Sequence, residues 1–281
     1  MTLVGVVGAG VMGVGVAQSL AEHGHEVVLV DVDEETVQRA ARKLDLNVRT
    51  ARMFGGTSQR SPQEVMAAVR CTTSYGDLGD VEFVIENITE KWDLKARAYR
   101  ELDAVCPANA IFCANTSAIP ITRIGGATGR PERVIGIHFM NPVPMKNTVE
   151  LIPGHHTSDE TVKRTEELLT SIGKRAIAVR DSPGFVSNRV LMLTINEAAF
   201  LVHEKVADAA AVDDVFVSCF GHPMGPLATA DLIGIDTILY SIEVLYESFS
   251  DSKYRPCPLL RQMVDAGLHG KKTGKGFFSY S

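Results

Sequence analysis

The chain has 281 residues, 45% of them hydrophobic and 22% charged, the balance of a folded globular protein. With a net charge of −6 and no block of like charges, nothing suggests a nucleic-acid surface, and the apolar runs are too short to span a membrane. Five cysteines (Cys71, Cys106, Cys113, Cys219 and Cys257) form no C-x-x-C pair, so buried thiols in a reducing cytoplasm are expected, with no disulfide and no metal site.

The first element is a short apolar strand, residues 2–7, followed by Gly8-Ala9-Gly10-Val11-Met12-Gly13 and a helix. A second strand, 26–30, ends at Asp31. Gly8 permits the tight turn out of the strand, Gly10 lets the backbone approach a pyrophosphate, and Gly13 lets the helix pack closely on the sheet. The helix start at Val11 and Met12 offers free N–H groups to phosphates. Asp31 would accept hydrogen bonds from an adenosine ribose and repel the extra phosphate of NADP. Strand, glycine turn, helix and acid at this spacing predict NAD binding. Residues 2–21 are mostly apolar, but five glycines interrupt them and no basic segment precedes, so a secretory leader is not expected.

Helical spacing covers 33–53 and 62–69, with Val37, Ala40, Ala41, Leu44 and Val48 on one face. The intervening 54–62 reads as a turn closed by a Ser61-Pro62 helix start. Strands then recur at 81–85, 110–114, 133–138, 148–152 and 175–179, with helices at about 90–105 and 158–172. Such alternation predicts an α/β fold of Rossmann type, a doubly wound and mostly parallel sheet. At Asp181-Ser182-Pro183-Gly184 the texture changes, and helices are expected at 184–204, 208–219, 227–248 and 258–266. This divides the chain into a dinucleotide-binding domain, 1–183, with a helical hairpin insertion at about 33–70, and an all-helical domain, 184–281. The helix at 184–204 carries Phe185, Val186, Val190, Leu191, Leu193, Ile195, Ala198 and Leu201, apolar almost all round, so burial on more than one side and subunit pairing through this domain are expected.

Ligands of an open parallel sheet bind at the carboxyl ends of its strands. His138 ends one strand there and Glu150 lies twelve positions on in the next, so a hairpin can bring imidazole and carboxylate together. A carboxylate on one ring nitrogen fixes the tautomer and leaves the other nitrogen free to take a proton, as an alcohol oxidation requires. Taken alone, His138 also reads as a core histidine and Glu150 as a solvated strand residue. Asn115-Thr116-Ser117 follows another strand and can hold a substrate oxygen or the nicotinamide amide, or simply cap a helix. Asn188 lies early in the first helix of the second domain, either facing the cleft or as a polar spot on a buried helix.

Together these segments resemble the short-chain L-3-hydroxyacyl-CoA and 3-hydroxybutyryl-CoA dehydrogenase family, almost end to end. The matching segments are Gly8–Gly13, Glu86-Asn-Ile-Thr-Glu90, Asn115–Ser117, His138–Pro144, Val149-Glu150, Asp181–Arg189, His222–Asp236 and Gly270–Tyr280. The resemblance implies that His138 is the general acid/base with Glu150 its partner, and that Ser117 and Asn188 contact the substrate's hydroxyl and thioester oxygens. It further implies that Glu90, Lys95 and Asn141 line the nicotinamide side, and that the helical domain forms a homodimer in a cytoplasmic enzyme. Two departures bear on the substrate. The stretch before Glu150, Met145-Lys146-Asn147-Thr148, is more polar than is usual in the family. The hairpin turn, lysine-rich in the family, is here Phe54-Gly55-Gly56, with Arg49, Arg52 and Arg60 nearby. An acyl thioester carried on coenzyme A is one expectation; a small hydroxyacyl group such as glyceryl on an acyl-carrier protein, in polyketide precursor supply, is the other. A non-catalytic NAD-binding module would keep the glycine loop without needing Ser117, His138, Glu150 and Asn188 together. Dehydrogenases of the 6-phosphogluconate or 3-hydroxyisobutyrate type use a lysine base, and none lies near Asn188 in its helix.

Overall fold

A computed structural model of the chain describes residues 1–53 and 58–280. It forms two compact units, Met1–Ser182 and Pro183–Ser281.

The first unit is built on an eight-stranded sheet. Its strands are β1 (Leu3–Val7), β2 (Glu26–Val30), β3 (Val69–Thr72), β4 (Phe83–Glu86), β5 (Ile111–Ala114), β6 (Val134–His138), β7 (Thr148–Pro153) and β8 (Arg175–Ala178). Their spatial order is β3-β2-β1-β4-β5-β6-β7-β8, and neighbours run parallel except at β6–β7. The central strands are buried on both faces, which is why they read as unbroken apolar runs. Val4, Val6, Leu29, Ile85, Cys113 and Ile135 share one core with α1 (Val11–Glu22), α2 (Glu34–Met53) and α6 (Asp159–Ser171). Alternate residues point the other way: Phe112 meets Tyr99 of α4 (Trp92–Val105) with ring centroids 6.0 Å apart. A Cβ added at Gly136 would lie 2.6 Å from Ile121 of α5 (Ile121–Gly125).

The helix expected over 62–69 ends sooner. The Ser61-Pro62 start is present, with a reciprocal Ser61–Glu64 capping box, but α3 spans only Pro62–Ala67. From Val69 the chain pairs with β2 as edge strand β3, whose four residues are too few and too polar to show a strand period. The hairpin turn at Phe54-Gly55-Gly56, and the side chain of Arg52, lie outside the described residues. The cysteines are free thiols, yet Cys219 is exposed and Cys71 only half-buried, a correction to the expectation of burial.

The second unit is helical: α7 (Ser187–His203), α8 (Ala209–Asp214), α9 (Pro226–Ile233), α10 (Ile235–Phe249) and α11 (Pro258–Asp265), with a π-helical turn at Val215–Cys219. The helix expected from 184 starts three residues later, because Gly184 and Phe185 sit at φ +76° and +47°. The single helix expected over 227–248 is two helices, broken where Gly234 adopts φ +109°. Within the unit α7 buries Met192, Ile195, Ala198 and Ala199, whereas Val186 and Val190 are 57% and 61% exposed. The expected all-round burial of α7 is therefore absent inside the unit, although α8, α9, α10 and α11 all contact it. Among the described residues no helix is long and apolar enough to cross a membrane.

Candidate active site

The glycine turn leaves β1 between β2 and β4, the point where the connections diverge to opposite sides of the sheet. Gly8 holds φ +92°, and a Cβ there would lie 2.8 Å from the Asn87 backbone. A Cβ at Gly13 would lie 1.8 Å from the Gly8 carbonyl oxygen, so α1 approaches β1 only as glycine. At Gly10 a Cβ would meet nothing within 4 Å. The protein itself does not require glycine there; a ligand backbone running across the start of α1 would. Val11 is 75% exposed beside it. A cleft of about 380 Å³ opens here, lined among others by Gly8, Gly10, Asp31, Tyr75, Asn87 and Arg97. The Asp31 carboxylate accepts from the Ala9 amide (2.7 Å) and the Val32 amide (2.8 Å). A carboxylate has about four acceptor positions, so capacity remains for ribose hydroxyls. Open glycine, free helix-terminal amides and an acid at the strand tip fit a nicotinamide dinucleotide.

The neighbouring strand tips carry polar groups stitched to one another. Asn115, just past β5, donates to Asn87 Oδ1 (2.7 Å) past β4 and accepts from the Phe139 amide (3.2 Å) past β6. Glu90 accepts through Oε1 from the Thr116 hydroxyl and from the amides of Ser117 (3.2 Å), Ala118 (3.1 Å) and Ile119 (3.3 Å), so it caps the turn after β5. Ser117 Oγ is then 3.0 Å from His138 Nε2. His138 and Glu150 are directly paired across the antiparallel β6–β7 ladder, and Glu150 Oε2 lies 2.8 Å from His138 Nδ1. Both are buried, at 6% and 7% exposure, so solvent does little to weaken the pair.

The structure thus brings Ser117, His138 and Glu150 into one contact chain, with Asn115 and Glu90 behind it. Asn141 is exposed on the turn after His138. Lys95 is wholly below the surface, its Nζ 2.8 Å from both oxygens of Glu86 and 3.6 Å from Glu90. Asn188 is half-buried in the first turn of α7, in the second unit. Glu86, a fully buried acid at the end of β4, escapes sequence reasoning as a site residue because a strand-end glutamate ordinarily faces water. Its nine-residue separation from Lys95 crosses from a strand end into a helix and carries no periodic signal that could have found it.

A dinucleotide cleft at the sheet's switch point, next to a carboxylate-backed imidazole, is the equipment of an NAD-dependent oxidoreductase acting on a CH–OH group. Comparison with known proteins agrees. The "3-hydroxyacyl-CoA dehydrogenase, NAD binding domain" family matches residues 3–182, and the "3-hydroxyacyl-CoA dehydrogenase, C-terminal domain" family matches 184–280. The chain belongs to the 3-hydroxyacyl-CoA dehydrogenase family. It is 44% identical over 275 residues to a probable 3-hydroxybutyryl-CoA dehydrogenase of Bacillus subtilis, covering 98% of this chain and 96% of that one. The 3-hydroxybutyryl-CoA dehydrogenase of Bradyrhizobium diazoefficiens is 42% identical over 277 residues, covering 99% and 94%. The crystal structure of (S)-3-hydroxybutyryl-CoA dehydrogenase from Ralstonia eutropha superposes with a TM-score of 0.95 at 42% identity, covering 100% of this chain and 99% of that one.

Proposed function

We propose that the chain interconverts a short-chain 3-hydroxyacyl thioester, with 3-hydroxybutyryl-CoA as reference substrate, and the 3-ketoacyl thioester, using His138 as general acid/base. The observation that carries this reading is the buried His138–Glu150 pair with Ser117 at the outer ring nitrogen. Glu150 accepts the Nδ1 proton and so assigns the neutral tautomer with a lone pair on Nε2. Ser117 then donates to Nε2, marking where an alcohol hydroxyl would donate. Bound NAD would supply the acceptor for the hydride lost from C3. His138 takes the hydroxyl proton as that carbon is oxidised, and Glu150 stabilises the imidazolium; in reverse, the imidazolium returns the proton. Gly8, Gly10, Val11, Met12, Gly13 and Asp31 would hold the adenosine diphosphate part of NAD, and Asn115, Ser117, Asn141, Glu90 and, beneath Glu90, Lys95 its nicotinamide end. Asn188 would contact the substrate's thioester oxygen, the helical unit would pair two copies of the chain, and the enzyme would be cytoplasmic.

The test is NADH formation from (S)-3-hydroxybutyryl-CoA by purified protein. Steady turnover is expected, and no NADH from any short 3-hydroxyacyl-CoA would contradict the reading. One observation favours the acyl-carrier-protein alternative: Arg49 is paired with the Asp45 carboxylate (2.8 Å) and one Arg60 donor is taken by the Ala21 carbonyl (2.8 Å), leaving fewer donors for coenzyme A phosphates. If that alternative holds, carrier-bound hydroxybutyryl or glyceryl thioester is the faster substrate; brisk turnover of the free CoA ester removes it.

A further inference from the structure

We infer that Glu86 and Lys95 form a buried positioning brace, which fixes Glu90 and, through Glu90, the turn that presents Ser117 to His138. Both residues are fully buried in the first unit, an unusual place for a carboxylate and an ammonium. Lys95 Nζ donates to both Glu86 oxygens at 2.8 Å, and Glu86 Oε1 also accepts from the Ile88 amide at 2.6 Å. One carboxylate therefore holds the loop leaving β4 and the first turns of α4 together. The same ammonium lies 3.6 Å from Glu90 Oε2, while Glu90 Oε1 takes the donors of residues 116–119. Glu90 is thereby held from both sides, by an ammonium beneath and by the Ser117 turn beyond.

An ion pair in this position adds little to stability over well-packed apolar side chains of similar volume, because desolvation offsets the attraction. What it adds is direction. Burial pushes the Glu86 carboxyl up, and the Lys95 ammonium beside it opposes that shift. Without Lys95, Glu86 becomes a buried acid with no cation against it, and Glu90, whose side chain is 24% exposed, can swing toward water. Ser117 then loses its fixed distance to Nε2. Neither brace residue touches His138, so their role is positioning and their effect must pass through Ser117.

This dependence supplies the test, which rests on the proposed reaction only for its choice of substrate. Imidazole ¹⁵N resonances of His138 are recorded in the full-length wild type, Ser117→Ala, Lys95→Met and the paired Glu86→Leu/Lys95→Met. The paired variant leaves no buried charge unmatched and is the one expected to fold most like wild type. The brace variants should move the Nε2 resonance in the same direction as Ser117→Ala, and adding Ser117→Ala to them should move it little further. Turnover of 3-hydroxybutyryl-CoA should fall about 10- to 100-fold in the brace variants, and by no additional factor once Ser117 is already alanine. An unmoved His138 resonance in the folded paired variant, or effects that simply add to Ser117→Ala, would overturn the brace. A wild type that fails to oxidise the thioester would refute the proposed reaction and still leave the resonance comparison to decide the brace.

Discussion

Gly13 and His25 show how single positions constrain this fold for opposite reasons, one by lacking atoms and one by burying an imidazole. At Gly13 an added methyl would overlap the Gly8 carbonyl oxygen at 1.8 Å, so Gly13→Ala must push α1 away from β1. We expect a loss of about 1–3 kcal/mol in stability and weaker NAD binding, read by urea unfolding and by NAD titration; unchanged NAD affinity would contradict the role given to this turn. His25 sits at 5% exposure with Nε2 2.8 Å from Ser171 Oγ. The Ser171 hydroxyl donates to the Leu168 carbonyl, so Nε2 must carry the proton, and Nδ1 has no hydrogen-bond partner among the described residues. Burial, with smaller contributions from the N-terminal ammonium and His23, lowers the His25 pKa from the usual 6.5. Because the folded value lies below the unfolded one, the unfolded chain binds the proton more readily. The stability that neutral His25 supports is complete above pH 6.5 and is lost as pH falls toward and through the folded value. His25→Leu should therefore lose less unfolding free energy than wild type between neutral and mildly acidic buffer; equal losses would show that His25 does not titrate on unfolding.

At the scale of elements, the β6–β7 hairpin is what brings together two residues twelve apart. Antiparallel register sets His138 opposite Glu150, and side chains of directly opposed residues share one face of the sheet. This much was legible in the sequence, because two short strands flanking a proline turn admit few pairings. The C-terminal segment behaves similarly: Asp231, fully buried in α9, accepts from the Phe277 and Phe278 amides (2.9 Å each) and from the Tyr280 hydroxyl (3.0 Å). Asp231→Leu strands those donors and should cost about 3 kcal/mol, measured as a lower urea midpoint for the second unit; an unchanged midpoint would mean the segment is held otherwise. Other elements were not legible. Strand β3 is four half-exposed residues continuing from a helix, with no period of its own. The Gly234 break is hidden because glycine can sit within a helix, and only its φ of +109° shows that it does not. The Glu86–Lys95 pair was invisible because burial of charge depends on packing around it, which no local pattern reports.

For the whole molecule, the helical unit leaves several large apolar side chains in water: Val190 is 61% exposed, Phe220 65%, and Leu232 54%. Large apolar side chains left in water become an association face where they adjoin. We expect light scattering to give twice the chain mass, and Phe220→Asp with Leu232→Asp to shift the protein toward monomer; a monomeric wild type would remove the dimer from the account. We propose the first unit as the seat of the chemistry, since it holds both the carboxylate-backed imidazole and the dinucleotide cleft. The most direct measurement is the turnover of His138→Gln on 3-hydroxybutyryl-CoA together with its NAD affinity. The account predicts a rate roughly 10²- to 10⁴-fold lower with NAD binding retained. Near-wild-type turnover in that variant would contradict it.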